Sequence, residues 1–76
     1  MDEISRAVLK VINAACEPLE TKEVEKLVRV FVRDVTRSKL FYRLTMLRAD
    51  GLINGKFVGP GKGVWVWWRK DAFIKE

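Results

Sequence analysis

The sequence predicts an α+β domain in which three helices are followed by a two-stranded β-hairpin. Apolar residues recur every three to four positions in three separate stretches up to Leu47, which is helical spacing. After Gly51 the pattern alternates instead, in Lys56-Phe57-Val58 and again in Val64-Trp65-Val66-Trp67-Trp68. Between those runs lies Gly59-Pro60-Gly61-Lys62-Gly63, a composition that reverses a chain.

Length sets the scale: 76 residues make one domain, 1–76, with a single shared core. With 49% apolar residues, disorder is not expected. No apolar run approaches the ~20 residues that cross a bilayer. Met1-Asp2-Glu3 is acidic and precedes no apolar block, so a secretory signal is not expected and the compartment reads as cytoplasmic. The chain has one cysteine and no histidine. An internal disulfide is therefore excluded, and the usual zinc site or hydrolytic triad cannot be assembled. The reading is a non-enzyme without cofactor, metal or evident small-molecule effector.

The first helix is expected over residues 3–16, with Asp2 as N-cap. Ile4, Val8, Val11 and Ala15 form its inner stripe, widened by Ala7, Ile12, Leu9 and Cys16. A surface helix needs a stripe little more than ~100° wide. The surplus implies cover on a second side, by the C-terminal tail or by a second subunit. Cys16 reads as a small buried apolar residue. Pro18 ends this helix, and Leu19 is placed to make a short bridge to the later hairpin. Thr21 is expected to cap a second helix over residues 21–32, with Glu23 in its first turn and Val24, Leu27, Val28 and Phe31 buried. Arg33-Asp34-Val35 then forms the turn, with Val35 plugging the joint.

The third helix, residues 36–50, has Thr36 as N-cap and Leu40, Leu44 and Leu47 as its inner stripe. Gly51 suits the reversal through positive φ that ends it. Its opposite face carries Ser38, Lys39, Tyr42, Thr45 and Met46, bordered by Arg37 and Arg43, and its one acid is Asp50. Arg48, nearer the stripe, is assigned a structural role with its head paired to an acid. The hairpin is expected over residues 56–68. If Val58 faces Val64, then Phe57, Trp65 and Trp67 share the core face, and Trp68 is the exposed tryptophan. Residues 69–76 form a tail whose Phe73 and Ile74 dock back or meet a partner.

The net charge of +5 is unevenly spread. Residues 1–34 carry six basic and seven acidic side chains, residues 35–70 eight basic and one acidic. That asymmetry is the footprint of a chain that meets a polyanion.

Val35-Thr36-Arg37-Ser38, then Leu40, Leu44, Leu47 and Gly51-Leu52-Ile53, resembles the recognition-helix signature of winged helix-turn-helix regulators such as the MarR, PadR and ArsR groups. Pro18-Leu19-Glu20-Thr21-Lys22-Glu23-Val24 is similar to the entry into their second helix, and the likeness runs from Ile4 to Arg69. The chain looks like a small stand-alone archaeal type, without the added helices through which many such regulators dimerise. The resemblance implies sequence-specific binding of double-stranded DNA in transcription regulation, with the third helix in the major groove and the hairpin as a wing on the backbone or minor groove. Arg37 and Lys39 become candidates for guanine edges or phosphates, Ser38 for a phosphate or base edge, and Tyr42 for a thymine methyl, sugar or phosphate. Arg43 sits nearer the backbone, Lys62 reaches from the wing tip, and Lys56 and Arg69 flank the strands. So small a reader implies a homodimer, formed through the first helix and the tail. The alternatives are a protein-interaction winged helix within a larger assembly and a non-specific architectural nucleic-acid binder.

Overall fold

A computed structural model describes residues 1–72. Three helices and a three-stranded antiparallel sheet follow in the order α1 (Glu3–Ala14), β1 (Leu19–Glu20), α2 (Thr21–Val28), α3 (Arg37–Ala49), β2 (Ile53–Val58) and β3 (Val64–Arg69). The expected tail contacts of Phe73 and Ile74 lie outside the described residues.

Asp2 caps α1 by accepting the Ser5 amide at 2.9 Å. Ala7, Val8, Val11 and Ile12 of this helix are buried. The helix stops two residues short of the expected end, because Ala15 turns extended (φ −78°, ψ 137°) ahead of Pro18. Cys16 is consequently exposed rather than buried. The chain then enters β1, where Leu19 pairs with Trp67 and Glu20 with Val66. The hairpin of the sequence reading is thus part of a three-stranded sheet of order β1-β3-β2, with β3 in the middle.

Helix α2 differs from expectation at both ends. Its N-cap is Glu20, whose amide donates to the Glu23 carboxylate at 2.7 Å. Thr21 is therefore inside the helix and not its cap, and its hydroxyl accepts the Trp67 indole N–H at 2.9 Å. Beyond Val28 the regular helix gives way to turns in which the amides of Phe31 and Val32 both donate to the Val28 carbonyl, at 2.9 and 2.8 Å. This tightening shifts the buried position from Phe31 to Val32. Leu27 and Phe31, expected in the core, are 43% and 49% exposed. Val35, at 2% exposure, does seal the joint into α3.

The Thr36 hydroxyl accepts the Lys39 amide at 3.1 Å and so starts α3. Leu40, Leu44 and Leu47 turn inward. At the far end Gly51 adopts φ +77°, its amide donating to Arg48 and that of Leu52 to Leu47, both at 3.0 Å. This doubly bonded reversal is why the helix ends there. It feeds straight into β2, three residues earlier than expected.

Val58 pairs with Val64, as the alternation requires. Trp67 is wholly buried and Trp65 half-buried, but Phe57 near the hairpin end of the same face is 52% exposed. Trp68 is half-buried on the opposite face. Phe41 of α3 meets the edges of Trp65 and Trp67 with ring centroids 6.1 and 5.9 Å away, locking sheet to helix. Gly55 is required opposite Trp67, since a Cβ there would lie 2.4 Å from the indole ring. Arg48 packs over Trp65 with its guanidinium 5.4 Å from the ring centroid and donates to the Gly55 carbonyl at 3.0 Å. Its role is structural, though its partners are a carbonyl and a ring rather than an acid.

Candidate nucleic-acid interface

With Leu40, Leu44 and Leu47 facing the core, the roughly 100° rotation per residue points Ser38, Lys39, Tyr42 and Met46 outward, and all four are exposed. Thr45 is half-buried and satisfies its hydroxyl on the Tyr42 carbonyl at 2.8 Å. Between this face, the start of α2 and the hairpin runs an open groove of about 630 Å³. Lys22, Arg37, Ser38, Tyr42, Gly63 and Trp65 are among its walls. Two cations, the hydroxyl residues Thr21, Ser38, Tyr42 and Thr45, the acid Glu20 and aromatic surface thus meet in one concavity.

Arg37, the first residue of α3, donates its Nε–H to Glu25 on α2. The other oxygen of Glu25 takes Arg29 Nη2 at 2.9 Å. These bonds, first from Arg37 and then from Arg29, hold the Glu25 carboxyl below its ordinary value of 4.5. Because Arg37 spends only Nε on this contact, its terminal nitrogens remain available for an incoming acceptor.

The other candidates are more dispersed. Lys39 is exposed and pairs with no acid among the described residues. The same holds for Lys62, on the tip between Gly61 (φ +69°) and Gly63. Arg43 stands on the other flank of α3, where it pairs with Asp2 at 2.7 Å and lies 5.5 Å from the Tyr42 ring centroid. Asp2 titrates below its ordinary 3.8, chiefly through its hydrogen bonding with Ser5 and less through Arg43. Lys56 pairs across the strands with Val66, which places it on the sheet face turned away from Trp67 and the core. Arg69 ends β3 remote from the tip and meets Asp71 at 3.4 Å. The groove therefore gathers Arg37, Ser38 and Tyr42, with Lys39 beside them on the helix. It does not gather Arg43, Lys56 or Arg69.

Sequence reasoning missed Lys22. With Lys26 and Arg29 it recurs at i, i+4 and i+7, the spacing of one helix face, and all three are exposed. That signal was present in the sequence. Counting charge over residues 1–34 hid it, because the acids of that half, Glu20, Glu23 and Glu25 among them, cancel it in the sum.

Among the described residues no helix is long and apolar enough to cross a membrane. A scan against protein-family models finds no match to this chain, and a search of curated proteins finds none either.

Proposed function

We propose that this chain is a winged-helix DNA-binding protein, a small cytoplasmic transcriptional regulator that reads duplex DNA with α3 and steadies it with α2 and the hairpin. One observation carries the reading: Lys22 from α2 and Arg37, Ser38 and Tyr42 from α3 converge on a single groove beside the hairpin tip. The order helix, short strand, helix, helix, hairpin is compatible with that fold. Lys26 and Arg29 continue the exposed Lys22 spacing along α2, Lys39 follows Ser38 on α3, and Lys62 precedes Gly63 at the hairpin tip. Two acids lie close: Glu20 is in the groove wall, and Glu25 is held between two arginines that offset part of its charge. In this arrangement the cations neutralise phosphates, while the start of α3 meets base edges.

The longest dimension of the molecule is 35 Å, about one turn of duplex at ~34 Å. One copy thus addresses one half-site, and useful specificity calls for a homodimer on a two-fold related site. About six phosphates neutralised per copy give a log–log salt slope near −5. Titration of a duplex selected from a random pool, repeated across several salt concentrations, tests this. A salt-independent affinity, or no duplex recovered above background, refutes it.

A second reading is favoured by a different feature. Leu27, Val30 and Phe31 leave apolar surface exposed around a groove of about 380 Å³ that also includes Val11, Ala14 and Ala15. Such a patch suits a protein-interaction module in a larger assembly. That reading predicts that Phe31→Ser abolishes partner capture while Arg37→Ala leaves it intact.

A further inference from the structure

We propose that Glu25 is a positioning residue for Arg37, setting how that guanidinium is presented to a base pair. The proposal rests on the DNA-binding reading. Arg37 is 59% exposed, and an exposed arginine samples many rotamers, so its terminal nitrogens would ordinarily have no fixed direction. Glu25 removes much of that freedom. Its side chain is only 13% exposed, it comes from the preceding helix, and it accepts Arg37 through Nε alone. With Nε occupied, Arg37 can offer only its two Nη groups, end-on. That is a geometry able to take the O6 and N7 acceptors of guanine together. Arg29 holds the second carboxylate oxygen at 2.9 Å and fixes Glu25 in turn. A carboxylate beside a polyanion opposes binding in general, so this arrangement gives up non-specific affinity in return for a defined donor direction.

That trade separates positioning from mere structural support. In Glu25→Ala, affinity for an unrelated duplex should rise about two- to threefold, because one negative charge is gone. Over the same change, the ratio of affinity for a duplex recovered by random-pool selection to that for a scrambled duplex should fall about tenfold. Glu25→Gln, which retains one acceptor, should raise the non-specific affinity equally and lose less of the ratio. A variant that was simply less well folded would lose both affinities together, and that result overturns the proposal. So does an unchanged ratio. The free protein supplies an independent readout in the order parameter of the Arg37 Nε–Hε bond by 15N relaxation. It should be high in the wild type and fall in Glu25→Ala; a low wild-type value overturns the positioning role whatever DNA does. An ordered Arg37 in a protein that binds no duplex would instead bring down the DNA-binding reading, and base presentation with it.

Discussion

The part-buried hydrogen bond between the Trp67 indole N–H and the Thr21 hydroxyl offers the sharpest test of how the sheet is held to the helices. Trp67 has no exposed surface, and Thr21 accepts its proton at 2.9 Å. Thr21→Val replaces the hydroxyl by a methyl of similar size and hardly changes helix propensity. The perturbation is thus centred on the indole N–H, whose ring is wholly buried and which loses its acceptor behind the groove wall that Thr21 helps to form. Orphaning a buried donor costs about 1–3 kcal/mol. For a domain of this length each kcal/mol moves the unfolding midpoint by roughly 4–8 °C, so a central value of about 2 kcal/mol lowers it by about 12 °C. Far-UV circular dichroism during a thermal scan gives the midpoint, and tryptophan emission reports whether the indole stays buried at the start. Thr21→Ser retains the acceptor and removes one methyl group worth about 0.8 kcal/mol at most, so its midpoint should fall far less. A Thr21→Val protein that melts within about 2 °C of the wild type, with unshifted emission, would show that this bond does not anchor the sheet.

Gly55→Ala should destabilise the domain by about 1–3 kcal/mol and shift tryptophan emission, because the added methyl meets the Trp67 ring; an unchanged melting curve would contradict the packing described. Asp2 and Glu25 both titrate below their ordinary values in the folded chain. Their contribution is therefore complete above the ordinary carboxylate range and is lost as pH falls through it toward the lowered folded values. Unfolding midpoints should accordingly hold steady near neutrality and drop below about pH 5, and the Asp2→Asn, Glu25→Gln double variant should show a shallower acid decline. On duplex DNA, Lys22→Ala should reduce the salt slope by about one, whereas Lys56→Ala, on the sheet face turned away from the core, should leave it unchanged.

Helix α3 was legible from the sequence because its signals are local and agree. Thr36 starts it, the Leu40, Leu44 and Leu47 stripe orients it, and Gly51 stops it. The end of α2 was not, since Leu27 and Phe31 continue the stripe of Val24 and Val28 without a break. What displaces Phe31 is the turn geometry after Val28, and Val30-Phe31-Val32 carries no glycine or proline to announce it. Cys16 was misplaced for a related reason: the extended approach to Pro18 reaches back to Ala15 and cuts the helix short. Thr21 had two equally good uses for its hydroxyl, a cap or a distant donor. The choice depends on Trp67, 46 residues away, and no local pattern records it. As for the candidate site, the outward residues of α3 followed from periodicity alone. How far each cation lies from the groove depends on strand pairing and on acids such as Asp2, which only the fold brings near Arg43.

Only Asp50, Gly51 and Leu52 separate α3 from β2; Arg48 ties the helix to β2 at Gly55, and Phe41 packs on Trp65 and Trp67 of β3. Helix and strands therefore behave like the two jaws of a caliper whose opening is set in advance. A ligand spanning both must already match that gap or deform to meet it, and its stiffness becomes part of what is recognised. Inserting residues into the 59–63 tip would lengthen one jaw without disturbing the other, so reach and base reading can be varied separately.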